Sequence, residues 1–192
     1  MRKNVILALS LITLSACSTY NGGDIPTPPE GSVVMSQRVS NQRINAFAED
    51  KLGHIWMATL RGLNRFDGHE FQQFFCTDDE TGLPDNQINA IQTLQDGRLC
   101  VATVNGVAVS TDQDTFHRIP VEDGTLNMST ILETRSGKVL LSNNSFLYCY
   151  FPDQDLILPV LRELNAFGAT SMTLDPEGRL WVISGNGFTL NC

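Results

Sequence analysis

Few residues in this chain have the types and spacing that bond-making chemistry requires. The three histidines, His54, His69 and His117, titrate near neutral pH and are the first candidates for a general acid or base. They occupy unrelated sequence settings: His54 follows a glycine turn, His69 follows Gly68, and His117 lies in a short apolar-polar run. Turn and surface positions describe them, and no catalytic residue is assigned. Asp112-x-Asp114 and Asp153-x-Asp155 space two carboxylates as a calcium loop begins, but neither continues with the further oxygen ligands and glutamate that such a loop needs. No metal site is expected. The run Asp78-Asp79-Glu80 reads as a solvated loop. Neither a Gly-x-Ser-x-Gly nucleophile motif nor a phosphate-cradling glycine loop is present, so the expectation is a protein without enzymatic activity or cofactor.

The five cysteines are Cys17, Cys76, Cys100, Cys149 and Cys192, and none pairs in a Cys-x-x-Cys metal spacing. Cys17 stands apart from the other four. Arg2 and Lys3 precede an apolar run from Val5 to Leu14, which suits the core of a signal peptide and is too short for the roughly 20 residues of a membrane span. The run ends in Leu14-Ser15-Ala16-Cys17. That tetrapeptide resembles the bacterial lipobox, which implies cleavage of residues 1–16 and acylation of Cys17. Several acyl chains on one cysteine would hold the protein firmly to a membrane, since each buried CH₂ contributes about 0.8 kcal/mol. Residues 17–36, with Gly22-Gly23 and Pro26, Pro28 and Pro29, are expected to form a flexible tether.

Composition narrows the remaining options. Hydrophobic residues make up 42% of the 192, which places the chain among globular proteins. Lys plus Arg number 13 against 21 Asp plus Glu, a net charge of −8, with no basic cluster beyond Arg2-Lys3. A nucleic-acid partner is therefore not expected, because phosphate neutralisation needs a basic stripe.

The elements that must position any site are repeats. Gly53, Gly97, Gly137 and Gly178 are 44, 40 and 41 residues apart, each preceded six residues upstream by an apolar side chain: Phe47, Ile91, Ile131 and Met172. Each is followed by a short apolar strand, "HIWMATL", "RLCVATV", "KVLLSNN" or "RLWVISG", and a second glycine recurs at Gly62, Gly106 and Gly187, with Phe146 in its place in the third repeat. A period near 40 with several short strands per unit predicts β-propeller blades, each a four-stranded antiparallel sheet. The four glycines close hairpin turns. Ile55-Trp56-Met57-Ala58 is apolar on both faces, as a sheet packed between two neighbours requires. Trp56, Cys100, Leu140 and Trp181 share one place in the repeat and are expected in the core between blades. Blades are placed at 37–79, 80–122, 123–163 and 164–192.

The residues also resemble the two-component regulator propeller repeat family. Leu83-Pro84, Ile88, Ile91, Asp96-Gly97, Ala102-Thr103 and Gly106-Val107 follow its pattern, as do Ile44, Phe47, Asp50, Gly53, Ile55-Trp56, Ala58-Thr59 and Gly62-Leu63. Asp175, Gly178, Leu180-Trp181 and Gly187-Phe188 repeat it, and the third repeat departs most. The resemblance covers residues 40–190. It implies the exported, periplasm-facing sensor region of a two-component system, which binds an oligosaccharide or other small ligand through paired sensor domains and signals to a histidine kinase not encoded here. Seven blades are usual in that family, so an incomplete ring of about four blades, part of a longer chain, is expected. Closing four blades into a ring would need an edge strand such as "SVVMSQRV", residues 32–39. A lipid anchor is unusual for a sensor with its own membrane span, which keeps open a free-standing propeller lipoprotein, at the periplasmic or cell surface, that binds glycan or protein. A third reading is an enzyme similar to the streptogramin lyases, which would need a histidine at the channel mouth. Asn64, Arg65 and Asn105, near the ends of repeat strands, are the candidate ligand donors, with turn chemistry as the competing account of their side chains.

Overall fold

In the computed structural model of the protein, the residues described are 33–191 except 79–80, 113, 144–145, 162–168 and 185–188. Cys17 and the expected signal peptide, the stretch up to residue 32 expected as a tether, Gly187 and Cys192 lie outside them. Each repeat folds as predicted, into an antiparallel sheet whose strands are joined by tight turns, and no helix is present among the described residues. The first sheet holds β2 (Ile44–Glu49), β3 (Ile55–Thr59), β4 (Gly62–Phe66) and β5 (Phe71–Phe74). The second holds β6 (Ile88–Thr93), β7 (Leu99–Thr103), β8 (Gly106–Ser110) and β9 (Phe116–Ile119). The third holds β10 (Thr130–Glu133), β11 (Val139–Ser142), β12 (Leu147–Phe151) and β13 (Leu156–Leu161), and the fourth β14 (Ala169–Leu174), β15 (Leu180–Ser184) and β16 (Thr189–Asn191). The sheets stand side by side through their first strands, β2 beside β6, β6 beside β10, β10 beside β14. They form a β-propeller arc that does not close into a ring.

The turn between the first two strands of each sheet is the same object four times. Gly53, Gly97, Gly137 and Gly178 have φ between +80° and +97°, a region that a Cβ disfavours. Their amides donate to the carbonyls of Asp50, Leu94, Thr134 and Asp175, at 2.8–3.0 Å. In the first and fourth repeats the aspartate that opens this turn also accepts the indole N–H of the following strand: Trp56 to Asp50 at 3.0 Å and Trp181 to Asp175 at 2.9 Å. Where tryptophan is absent so is the aspartate, for Leu94 precedes Cys100 and Thr134 precedes Leu140. A buried indole N–H needs an acceptor, and the turn supplies it.

Alternation along the strands divides each sheet between two interfaces. Trp56 and Ala58 pack with Leu99, Val101, Ala108 and Phe116 of the second sheet. Cys100 and Ala102 face the other way, against Val139, Leu141, Tyr148 and Tyr150 of the third. Leu140 packs with Leu180, Val182 and Met172 of the fourth. Trp181 alternates with Leu180 and Val182 and so lies on the far face of its sheet. It is half-buried, beside Ile183 at 54% exposure.

One assignment changes. Val33–Ser36 falls in the proline- and glycine-rich stretch whose composition predicts a tether, and within the segment 32–39 that could close the last blade. It forms β1 and pairs antiparallel with β5 at the outer edge of the first sheet, Val33 opposite Phe74 and Ser36 opposite Phe71. Its connection to β2 then crosses the open face of that sheet. Ser40 N donates to Asn64 Oδ1 at 2.8 Å, and Gln73 Nε2 donates to the Arg38 carbonyl at 2.7 Å.

A candidate ligand-binding pocket

In the first three repeats the chain enters the inner strand through an alternation of polar and apolar side chains. Ten residues before the turn glycine stand Arg43, Gln87 and Asn127, and eight before it Asn45, Asn89 and Ser129. The intervening positions, Ile44, Ile88 and Met128, are apolar. Ile88 and Met128 are fully buried. Alternation therefore turns the polar pair of each repeat away from the core, and the side-by-side inner strands bring the pairs of three repeats together. All six line one open cavity of about 450 Å³, with Leu60 and Val104, equivalent positions after β3 and β7, as its apolar pads.

The donors and acceptors of this pocket follow from its internal bonds. Asn45 Nδ2 donates to the Ile88 carbonyl at 2.7 Å, and Asn89 Nδ2 to the Met128 carbonyl at 2.8 Å, one asparagine tying each inner strand to the next. Asn89 Nδ2 also reaches Asn127 Oδ1 at 3.1 Å, which leaves the Asn127 amide N–H groups as donors. Ser129 Oγ donates to the Ser142 carbonyl at 3.1 Å and keeps its lone pairs. A wall of mixed amide and hydroxyl groups beside apolar pads can both donate to and accept from a polyhydroxylated ligand. Among the described residues of the lining, Arg43 is the sole charged side chain.

The residues singled out by sequence lie elsewhere. Asn64 is fully buried, its Oδ1 accepting from Ser40 N and its Nδ2 donating to Ser40 Oγ at 2.7 Å. A ligand has no access to it, which corrects its assignment as a donor. The Arg65 side chain is 11% exposed, lies over Trp56 and Phe74 at 5.3 and 5.7 Å from the ring centroids, and donates to Gln72 Oε1 and to Asp114 Oδ1. It too is part of the seam between the first two sheets. Asn105 is exposed in the turn beside Val104, its amide donating to Thr103 Oγ1 at 3.1 Å, so it stands at the pocket end of the fold. The six polar lining residues were missed because strand and turn signals drew attention to the glycines. Their period was readable, since the same two offsets from the turn glycine are polar in three successive repeats.

The histidines, the turn aspartates and Cys100 lie outside the pocket lining. The strands β2 and β3 run from the pocket to the Gly53 turn and back, which puts His54 at the far end, its Nδ1 2.9 Å from Asp50 Oδ2. Burial works to raise the Asp50 pKa, but hydrogen bonds from the Trp56 indole, His54 and the Leu52 amide together hold it below the ordinary carboxylate value. Asp175 is likewise held down to about 2, desolvation being outweighed by Trp181 and Arg179. His69 is exposed in the β4–β5 turn, and His117 meets Asp155 on an outer strand. None of the three lines the pocket. Burial pushes the Cys100 thiol up to about 12, so it is an inert core side chain. Among the described residues, no cluster of three or more His, Cys, Asp or Glu is placed to hold a metal ion.

Residues 38–61, the crossing loop with β2 and β3, match the family model of the two component regulator propeller. That match covers one of the four repeats. Among solved structures, this propeller is similar to the extracellular domain of the hybrid two component system BT4673 from B. thetaiotaomicron. That match has a TM-score of 0.64 and 23% identity, over 75% of this chain and 20% of that one. The extracellular domain of a second such system, BT3049 from B. thetaiotaomicron, gives a TM-score of 0.64 and 18% identity over 80% and 22%. Virginiamycin B lyase from Staphylococcus aureus gives 0.62 and 13% over 80% and 56%. These identities establish a shared fold, and the chain spans about a fifth of the two extracellular domains. No curated protein matches the sequence.

Proposed function

We propose that this propeller is the ligand-sensing part of an exported two-component regulator, that it takes an oligosaccharide in the pocket between its first three inner strands, and that it passes the signal to a histidine kinase. The observation that carries the reading is the pocket itself: six polar side chains, repeated at two fixed offsets over three blades, converge on one cavity. The family repeat at residues 38–61 and the likeness to extracellular sensor domains support it. Binding would act by favouring one arrangement of paired sensor domains over another, since a ligand shifts an equilibrium only by its differential affinity for the two states. Asn105 extends the donor set at the rim. Leu14-Ser15-Ala16-Cys17 favours a second reading, a lipoprotein anchored through Cys17 that binds glycan without a kinase of its own. Both readings require the same pocket.

Calorimetry with a panel of neutral and acidic oligosaccharides tests it. At least one should bind saturably, and Gln87→Ala and Asn127→Ala should each weaken that binding about tenfold, the size of one well-made hydrogen bond left unpaired. No saturable heat from any oligosaccharide, or binding indifferent to both substitutions, overturns the reading. Turnover of a glycan or of a lactone antibiotic, lost on replacing one of the three histidines, would establish an enzyme instead.

A further inference from the structure

We propose that the pocket selects an acidic oligosaccharide, with a uronate carboxylate held by Arg43 and neutral hydroxyls read by Gln87, Asn127 and the asparagines beside them; this rests on the oligosaccharide reading above. Arg43 is fixed from its backbone, its amide donating to Asn41 Oδ1 at 2.7 Å. Its side chain is exposed and lines the cavity, and no hydrogen bond or ion pair engages it among the described residues. Other arginines are engaged within the fold. Arg65 meets Asp114, Arg98 meets Asp96, Arg179 meets Asp175 and Glu177, and Arg118 donates to the carbonyls of Thr77, Gly82 and Leu83. In a chain of net charge −8, an unengaged guanidinium in a cavity with no carboxylate among its described lining residues runs against the overall charge.

The repeat gives that charge a register. Gln87 and Asn127 occupy Arg43's place in the next two blades, so one row presents a guanidinium followed by two amides. A planar guanidinium matches a carboxylate through two parallel N–H···O bonds, whereas an amide matches a hydroxyl. A single positive charge suits a single negative one. A phosphate monoester, at about −1.5 to −2 near neutral pH, would leave charge uncompensated in an acidic protein. The ligand that fits is therefore a short chain with one acidic sugar over the first blade and neutral sugar hydroxyls over the second and third.

Calorimetry on the full chain with an aldotriouronic acid (one glucuronate on xylobiose), its methyl ester, and a 6-sulfated disaccharide tests this. The acid should bind at least tenfold tighter than the ester, as a charge-assisted bidentate pair would. Arg43→Gln should abolish that preference, bringing the acid down to the affinity of the ester, with the far-ultraviolet circular dichroism unchanged. Arg43→Lys, which keeps the charge and loses the fork, should retain part of it. Equal affinity for acid and ester, a preference that survives Arg43→Gln, or tighter binding of the sulfated sugar overturns the acidic selection and leaves the oligosaccharide reading standing. Absence of binding by these probes and by every member of the wider panel overturns both.

Discussion

Trp56 and Trp181 hold the same place in their repeats and make the same indole bond to the turn aspartate, yet only one is enclosed by a following sheet. Truncating both tests whether packing between blades, and not the hairpin itself, is what holds the arc together. Trp56 is 3% exposed. Its ring lies 5.4 Å from Phe74 and 6.2 Å from Phe116 of the second sheet, and the Arg65 guanidinium covers it at 5.3 Å. Trp56→Ala removes a large enclosed side chain, leaves a cavity between two rigid sheets and strips Asp50 of a donor, so it should cost about 3–5 kcal/mol. Trp181→Ala removes a half-buried ring from a face that no further sheet covers among the described residues, and should cost about 1–2 kcal/mol. In urea, followed by far-ultraviolet circular dichroism so that loss of an indole does not alter the probe, a slope near 2 kcal/mol/M turns these into midpoint shifts of about 2 M and below 1 M. Equal shifts for the two variants, or a loss under about 1 kcal/mol for Trp56→Ala, would refute the assignment of stability to the interface between blades.

Two other predictions concern the turn carboxylate and the N-terminus. Asp50 has its pKa lowered by folding, so its contribution to stability is complete above the unfolded value of about 4 and is lost as the pH falls through the lower folded value. Asp50→Asn should therefore lower stability at pH 7 and flatten the acid limb of the stability curve below pH 4; an acid limb unchanged by the substitution would contradict it. Cys17→Ala should leave an uncleaved precursor and abolish incorporation of labelled palmitate, and label that persists would remove the anchor assignment.

That this chain is a stack of blades is legible in the residues alone, because the information is local and is written four times. A turn glycine at +80° to +97°, a strand of four to six residues and apolar side chains on both faces admit few arrangements besides sheets packed on sheets. The alternation that sends Trp56, Cys100 and Leu140 to successive interfaces is likewise a property of single strands. What no single repeat contains is its neighbours. Asn64 looks like an accessible amide in a strand end, and becomes a buried tie only because Ser40, 24 residues earlier, crosses over it. Val33–Ser36 reads as tether until β5 offers it an edge. Arg43, Gln87 and Asn127 lie 44 and 40 residues apart in the chain, and they form one pocket because three inner strands stand side by side, a placement fixed by packing between blades and not by any of the segments alone.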